Sequence, residues 1–416
     1  MIQEISIKNF LSFKDKTVFS FEASDSKFRE ETQVVEVAEG VRLLRFAALY
    51  GANAAGKSNL MKAFYFINQF LFKDKEKDGR IDYPTGVVPF FLDDKTKTEN
   101  SEFEIVFFVE TAKNTYTKYI YKLEVNSETV VFEELSKENN IIVFQRKFQN
   151  NKFNTIYNFG IDDTTKAVFD LTCRKNMSIF AVYYNIEQNL SKDLDDLKNV
   201  KNYFMNFIPV VTGKKDIYAY TKEKLADDAK GNVKNKVLAG FEPSGFNISG
   251  ISFTREEDGT IQDEFYVKVE NQKEYALPGY LQSDGTKRYM SLNYIFHQLL
   301  EKQSFLIADE METFIHPDLF EKIVYDFLSV ESNHSQLILT THYSGLMETV
   351  NNLIRVDSIN FVEKKGDGSS ELYRLTDFDD LEKFNGKDLT IYKGYREGRF
   401  DAVPDVKYLD YGKKVE

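Results

Sequence analysis

The sequence contains a single cysteine, Cys173, among its 416 residues, and it contains no tryptophan. One cysteine can neither form an intramolecular disulfide nor supply a thiolate zinc site, so a reducing, cytoplasmic location is expected. The first residues show no basic segment followed by an apolar stretch, so no signal peptide is expected. The apolar runs are far shorter than the ~20 residues that a membrane-spanning helix needs, and no membrane association is expected.

The chain also has fewer basic than acidic residues. The 54 lysines and arginines are outnumbered by 66 aspartates and glutamates, which gives a net charge of −12. A chain this acidic is unsuited to non-specific binding of nucleic acid, and any contact with DNA or RNA would need a local basic patch. Apolar residues make up 42% of the chain, which is enough to bury a sizeable core. The length allows two or three domains, or one core with a large insertion.

The apolar periodicity divides the chain into strand-like and helix-like segments. Both ends alternate in the manner of an α/β core, and the middle first resembles a β meander and then a helical region. The predicted elements are strands within residues 1–22, a loop at 23–40, a buried strand at 43–50, a helix with Leu60, Phe64, Ile67 and Leu71 on one face, an antiparallel meander over about 101–170, a helical region over about 171–240, strands and turns at 241–280, a helix to about 301, a strand at 305–308, a helix near 318–329 and a strand at 336–340.

The strongest motif is Gly51–Ser58, GANAAGKS, which matches G-x-x-x-x-G-K-[ST]. Its glycines let the backbone wrap closely around phosphates, and successive N–H groups at a helix N-terminus bind the anion. We expect Lys57 to reach the β- and γ-phosphates and the Ser58 hydroxyl to bind Mg²⁺. A chance match is disfavoured by the buried strand before the loop and the amphipathic helix after it. The predicted nucleotide-binding residues of this region are Gly51, Asn53, Gly56, Lys57, Ser58 and Asn59.

A second motif, Ser304–Glu310, has the sequence SFLIADE. A short apolar strand here ends in two adjacent carboxylates, at the edge of an α/β sheet where ligands bind. We expect Asp309 to hold Mg²⁺ and Glu310 to polarise the attacking water. Taken alone, the pattern fits a strand that ends in solvated acids equally well. Its occurrence in the same chain as a nucleotide-binding loop favours the functional interpretation.

A third short strand, Gln336–His342, has the sequence QLILTTH and ends in hydroxyl residues and a histidine. If it lies beside the acidic strand, His342 can sense the γ-phosphate through a hydrogen bond. The alternative is an ordinary surface histidine. His297 and His334 are expected to be structural or solvated. His316 is intermediate between those two histidines and His342 in its expectation of a functional role.

The fourth motif is Gln282–Arg288, QSDGTKR, immediately before an amphipathic helix. A hydroxyl and a glycine at a helix start, Ser283 and Gly285, can form another anion site. On its own the segment fits an ordinary N-cap better. Its position shortly before the acidic strand gives it functional interest.

Along the chain the motifs run in the order loop, serine–glycine segment, acidic strand and histidine strand, and in that order they resemble an ABC-type ATPase of the SMC and OLD-like branch. GANAAGKS resembles the Walker A loop, FLIADE the Walker B strand, QSDGTKR the signature segment and His342 the switch histidine. ISIKNFLSF, DEMETFIHP and YREGRFDAVP are closer still to prokaryotic abortive-infection ATPases, the RloA-like group that includes the ATPase subunit of the PARIS anti-phage system. The resemblance covers the first and last thirds of the chain well and the middle weakly.

The resemblance implies an α/β fold, with a P-loop ABC-type ATPase core, an antiparallel β lobe and a large inserted β and helical subdomain. It also implies that ATP is sandwiched between two copies, so that Lys57, Glu310 and His342 act on a nucleotide that Ser283 and Gly285 of another copy also contact. Phe10 and Phe13 are candidates for stacking on the base, and Gln69 and Gln145 are weak candidates for the Q-loop glutamine. The predicted division of the chain is 1–72 for the first half of the core, 73–280 for the insertion and 281–416 for the second half.

The function that follows is an ATP-hydrolysing switch, at least a dimer, that controls a separate effector in anti-phage defence. A TOPRIM-type nuclease is the candidate effector and a phage protein a candidate trigger. Residues 343–416 are expected to be too few for the metal-binding nuclease domain of OLD-type proteins. The cluster Asp377, Asp379 and Asp380 is therefore interpreted as a loop or helix cap, with a compact metal site as the alternative. The alternative function is an SMC-like DNA-repair or DNA-clamping ATPase.

Overall fold

The computed structural model describes residues 1–72, 84–190, 194–212, 217–228, 230–270, 273–348, 353–378, 381, 390–400 and 402–403. The strands are β1 (Ile2–Lys8), β2 (Thr17–Ser20), β3 (Val34–Ala38), β4 (Val41–Leu44), β5 (Phe46–Tyr50), β6 (Ser101–Ala112), β7 (Thr115–Val125), β8 (Val130–Lys137), β9 (Ile141–Gln149), β10 (Lys152–Tyr157), β11 (Ile208–Thr212), β12 (Ile248–Arg255), β13 (Ile261–Lys268), β14 (Glu274–Pro278), β15 (Phe305–Asp309), β16 (Gln336–Thr340), β17 (Ile359–Lys364) and β18 (Ser370–Arg374). The helices are α1 (Glu30–Gln33), α2 (Lys57–Phe72), α3 (Asp163–Thr172), α4 (Ile179–Ile186), α5 (Asp195–Met205), α6 (Ile217–Ala226), α7 (Asn232–Ala239), α8 (Asp284–Lys302), α9 (Pro317–Leu328), α10 (Gly345–Glu348) and α11 (Ile391–Arg396).

A six-stranded sheet forms the centre of the α/β core, in the order β11-β15-β16-β5-β17-β18. Neighbouring strands from β11 to β17 are parallel, and β18 closes the edge as an antiparallel partner of β17. In register, Asp309 lies beside Thr340, and Thr340 beside Leu49. The carboxyl ends of β15, β16 and β5 therefore meet at one edge, as the predicted α/β core requires.

Both faces of this sheet are buried, which explains why its strands are continuous apolar runs. Phe305 and Ile307 on one face pack into a cluster with α2 and the second sheet, and Leu306 and Ala308 on the other face pack with α8 and α9. The apolar side of α2 matches its predicted spacing, because Leu60, Phe64, Ile67 and Leu71 are all buried.

The second sheet has seven strands in the order β10-β9-β8-β7-β6-β1-β2, and all of its pairings are antiparallel. It contains the predicted meander, but β1 and β2 from the start of the chain complete it. Residues 163–170, predicted as the end of the meander, instead belong to α3, because Asp162 caps the helix by accepting the Thr165 N–H at 2.6 Å and Phe169 packs into the core. The predicted three-part division of the chain remains a prediction.

Two predictions of secondary structure for the residues that precede the Gly51–Ser58 motif were wrong. Residues 23–40, predicted as a loop, contain α1 and β3, and β3 pairs antiparallel with β4, with Val34 opposite Leu44. The single strand predicted at 43–50 is two strands, because Arg45 interrupts it. This buried guanidinium donates to backbone carbonyl oxygens that include those of Thr32, Val330 and Ser335, and it lies 4.9 Å from the Phe327 ring centre.

The remaining predicted segments are confirmed. Residues 171–240 are mainly helical, except that β11 lies within them and pairs with β15 at the edge of the central sheet, and β12, β13 and β14 form a separate three-stranded sheet. Within the described part of the chain, no helix combines the length and the apolar character that crossing a membrane would require.

Candidate nucleotide-binding site

The loop from Gly51 to Gly56 joins β5 to α2, so the predicted order of strand, loop and helix is confirmed. Two of its glycines are required by the surrounding structure. Gly51 has φ +149°, and a Cβ there would lie 2.2 Å from the Val362 carbonyl oxygen. Gly56 has φ +119°, and a Cβ there would lie 2.1 Å from Ser370 Oγ. Side chains at either position would push the loop away from the sheet.

Gly56→Ala should therefore weaken ATP binding by at least about 10-fold, since both the backbone strain and the close approach of Ser370 displace the loop. Calorimetric titration with ATP and Mg²⁺ would measure this. Gly259→Ala is the matched control: Gly259 also has a positive φ, of +84°, but no atom lies within 4 Å of its added Cβ. Equal affinities for the Gly56 variant and the wild-type chain would contradict the role of the loop.

Two serines from distant segments of the chain, Ser12 and Ser370, stabilise the loop through a network of hydrogen bonds. Ser370 Oγ lies 2.5 Å from the Ala55 carbonyl oxygen and 2.7 Å from Ser12 Oγ, and Asn59 Nδ2 donates to Ser12 Oγ at 2.8 Å. The side chain of Asn59 thus contacts a residue that supports the loop, and its Oδ1 accepts from Lys62 Nζ at 3.3 Å. Asn53 is exposed in the loop. Neither serine was singled out from the sequence, since nothing local marks residues 12 and 370 as neighbours of residue 56.

Lys57 is buried at the start of α2, and its ammonium group donates to the carbonyl oxygens of Gly51 at 2.7 Å and Ala52 at 3.0 Å. Burial lowers the pKa of Lys57, while the carboxylates of Asp309, Glu310 and Glu312 act in the opposite direction. The cation is therefore held against the loop, close to the acidic end of β15.

Asp309 connects the ends of β15 and β16 to the start of α2. Its Oδ1 accepts from Ser58 Oγ at 3.0 Å and from Thr340 Oγ1 at 2.5 Å, and the N–H of Glu310 donates to Thr340 Oγ1 at 2.9 Å. The Ser58 hydroxyl and the Asp309 carboxylate offer oxygen ligands of the kind that Mg²⁺ prefers, so these residues fit the predicted metal. Thr340 was not identified individually, although the hydroxyl residues at the end of its strand were the available signal.

Glu310 follows directly and has φ +52°, a left-handed conformation that turns the chain sharply at the end of β15. His342 lies beyond β16, and its main-chain N–H donates to Glu312 Oε1 at 2.8 Å. Partial burial and then the charge of Lys57 lower the pKa of His342, which favours a neutral imidazole. The structure thus brings Lys57, Asp309, Glu310 and His342 together at one sheet edge, and it adds Glu312, which the sequence analysis missed.

The predicted signature residues lie at the start of α8. Ser283 caps this helix by accepting the Thr286 N–H at 3.1 Å, so the N-cap interpretation is confirmed. A Cβ on Gly285 would lie 3.0 Å from the Phe314 carbonyl oxygen. Close backbone packing therefore favours glycine there, and the contacts of Ser283 are with its own helix.

Other candidates are excluded or have structural roles. Phe10 and Phe13 are buried in the core, so the prediction that they stack on the base is wrong. Gln145 donates to Glu134 within the second sheet, and Gln69 lies within α2. The histidines outside the site have local partners: His334 Nδ1 contacts Tyr116 Oη, His316 Nδ1 accepts from the Asp318 N–H at 3.3 Å, and His297 lies 3.6 Å from Glu301.

The acidic cluster near the C-terminal end of the chain is only partly described. Asp377 accepts the Arg374 N–H at 2.8 Å, as a cap does, and Asp379 and Asp380 lie outside the described residues. Over the described ranges, no group of three or more histidine, cysteine, aspartate or glutamate side chains is arranged to hold a metal.

A buried parallel strand, a glycine-bounded loop with a buried lysine and an acidic strand that ends at the same sheet edge define a P-loop ATPase fold of the α/β class. The predicted fold class is confirmed. Residues 46–348 match the family model described as AAA domain, putative AbiEii toxin, Type IV TA system. The chain belongs to this family. A comparison with curated proteins finds no significant match.

Solved structures similar to this chain include three SMC heads. The SmcHead bound to the C-winged helix domain of ScpA is 16% identical, with a TM-score of 0.48 and coverage of 89% of this chain and 97% of that one. The SMC head domain from Thermotoga maritima is 15% identical, with a TM-score of 0.43 and coverage of 90% and 98%. The Smc head domain with an extended coiled coil, bound to the C-terminal domain of ScpA derived from Pyrococcus furiosus, is 17% identical, with a TM-score of 0.43 and coverage of 90% and 97%.

Proposed function

We propose that the chain binds ATP with Mg²⁺ and hydrolyses it to ADP and phosphate. The observation that carries the proposal is the hydrogen bond of 3.0 Å between Ser58 Oγ and Asp309 Oδ1, because it joins the phosphate-binding loop to the acidic strand. When bound, Mg²⁺ neutralises charge that develops on the phosphates. Ser58 and Asp309 would hold the metal, and Lys57 would bind the phosphate oxygens.

Glu310 is the proposed general base, since it follows the metal-binding carboxylate at the same sheet edge. It would accept a proton from the attacking water, while His342 would hold the γ-phosphate by a hydrogen bond. A neutral imidazole, which the lowered pKa of His342 favours, carries one N–H, and its tautomer must place that N–H toward the phosphate oxygen for the bond to be donated.

We further propose that ATP binding joins two copies, with Ser283 and Gly285 of one copy facing the nucleotide of the other. Three large apolar side chains near Ser283 support the proposal that this part of the chain contacts a second copy. Tyr280, Leu281 and Phe314 are 80%, 60% and 63% exposed. A cluster of exposed apolar side chains favours a protein interface, and a second copy is the partner that the sandwich arrangement requires.

Light scattering with a non-hydrolysable ATP analogue and Mg²⁺ should at least double the mass of the complex. Leu281→Asp should prevent this increase while nucleotide binding stays unchanged, because the charge would be buried unpaired at the interface. Leu171→Asp is the matched control, since Leu171 is 88% exposed on the distant α3. An unchanged mass for the wild-type chain with bound analogue would contradict the ATP-dependent dimer.

The biological role that we propose is a cytoplasmic switch in anti-phage defence that controls a separate effector, such as a TOPRIM-type nuclease, with a phage protein as trigger. The description of the matched family as a putative AbiEii toxin of a Type IV TA system supports a role in defence. Metal-dependent DNA cleavage by the purified chain alone would contradict the separate effector.

The alternative function is a DNA-clamping ATPase, which would need a basic channel. The net charge of −12 disfavours it, and lysines of the predicted helical stretch face acids: Lys222 lies 3.1 Å from Asp263, and Lys236 lies 3.9 Å from Glu301. Lys214 and Lys215 of that stretch lie outside the described residues. A steep loss of DNA affinity with rising salt would favour this alternative.

A further inference from the structure

Glu312 lies in the turn between β15 and α9, and it connects that turn to the segment after β16. One carboxylate oxygen, Oε1, accepts the main-chain N–H of His342 at 2.8 Å. The other, Oε2, is buried and has no hydrogen-bond partner among the described residues. Asp309 ends β15 and Glu310 begins the same short turn, so Glu312 joins the acidic end of one strand to the histidine that follows the next.

The surroundings of Glu312 are those of the nucleotide site. Its negative charge acts on Lys57 and His342, and also on Tyr50 at the end of β5 and on Arg288 in α8. Arg288 Nη2 also lies 3.4 Å from the carbonyl oxygen of Met311, the residue before Glu312. Four elements of the core therefore meet around one carboxylate.

A carboxylate oxygen that is buried without a partner is costly, because it loses its hydration and receives no hydrogen bond in return. A neutral or apolar side chain at position 312 would avoid that cost, yet it would either weaken or lose the bond to His342. The contact of Oε1 fixes where the His342 main chain lies relative to Glu310. Since residues 341–344 form no regular helix or strand, this bond is a main restraint on that segment.

We propose that Glu312 is a positioning residue for ATP hydrolysis, which orients His342 toward the nucleotide by holding its main-chain N–H. The proposal rests on the proposed ATPase function. Other contacts also restrain this segment: the Tyr343 N–H donates to Thr341 Oγ1 at 2.9 Å, the Tyr343 hydroxyl donates to Glu321 at 2.6 Å, and the Tyr50 hydroxyl donates to the Tyr343 carbonyl oxygen at 3.2 Å. Of these contacts, only that of Glu312 reaches back to the turn that carries Glu310.

The test compares Glu312→Gln, Glu312→Asp and Glu312→Ala in the full-length chain. Glutamine retains an oxygen at the same reach, aspartate retains the charge but is too short, and alanine retains neither. We expect the glutamine variant to stay within about threefold of the wild-type kcat. The other two should lose between about 10- and 100-fold in kcat with little change in KM, as is typical of a misplaced group.

A second readout is the NMR signal of the His342 ring in histidine-labelled protein, assigned with His342→Gln and recorded without nucleotide. We expect this signal to move in the aspartate and alanine variants and to stay in place in the glutamine variant. Glu321→Ala is the matched control, because it removes a carboxylate that holds the neighbouring Tyr343 from α9. That variant should keep both the kcat and the His342 signal within a small change of the wild type.

Three outcomes would overturn the proposal: an unmoved His342 signal in the alanine variant, equal losses in the glutamine and alanine variants, or the same loss in Glu321→Ala. The first would show that Glu312 does not hold the histidine, the second that its charge is what matters, and the third that any weakening of the segment suffices. The NMR signal does not require turnover, so it tests the contact of Glu312 with His342 independently of ATP hydrolysis. Failure of the ATPase proposal would be recognised separately, by ATP binding that is unaltered in the Lys57 variant or hydrolysis that is unaltered in the Glu310 variant.

Discussion

Lys57→Ala is expected to abolish tight ATP binding. Lys57 is buried at the loop and its ammonium group already contacts two loop carbonyl oxygens, so the site holds a fixed cation where water is partly excluded. Removing one partner of a buried charge pair costs about 3 kcal/mol or more, which corresponds to a Kd at least about 100-fold higher.

Calorimetry with ATP and Mg²⁺ would measure this loss, and circular dichroism would confirm that the variant is folded. Lys113→Ala serves as the control, since Lys113 is an exposed lysine in the turn between β6 and β7. If the Lys57 variant bound ATP as tightly as the wild-type chain, the loop would not be a phosphate site.

Glu310→Gln should leave ATP binding intact and slow hydrolysis by about 100-fold or more, the range typical of losing a general base. Glutamine has nearly the same shape and can adopt the same backbone turn, so the N–H of residue 310 should still reach Thr340. Because hydrolysis would no longer open the complex, the variant should accumulate as an ATP-bound dimer.

Steady-state phosphate release and the mass of the complex with ATP would be measured together. Glu331→Gln is the matched control, because it makes the same charge change at an exposed glutamate. A Glu310 variant that hydrolyses ATP at the wild-type rate would assign the general base to another residue, and Glu312 would be the next carboxylate to examine.

The local parts of the site could be predicted from the sequence because each lies within one short segment. The strand, loop and helix around Gly51–Ser58 and the acidic strand that ends at Asp309 are contiguous patterns, and the structure contains both as expected. The N-cap at Ser283 was predicted for the same reason. The errors at 43–50 and 163–170 had a different cause. Arg45 finds its acceptors in distant segments, and Phe169 finds its place in a core that the local pattern does not show.

The sequence by itself determined the class of the chain, the phosphate-binding loop and the order of the acidic and histidine-bearing strands. Tertiary structure alone decided that Thr340 bonds Asp309, that Ser12 and Ser370 brace the loop, and that Glu312 holds His342. The reason is physical. The positions of glycines, the spacing of apolar residues and the placement of charges determine local structure within a few residues, so they can be recognised in a short segment. Contacts between strand ends depend on sheet order, which is set by how the whole chain buries its apolar surface.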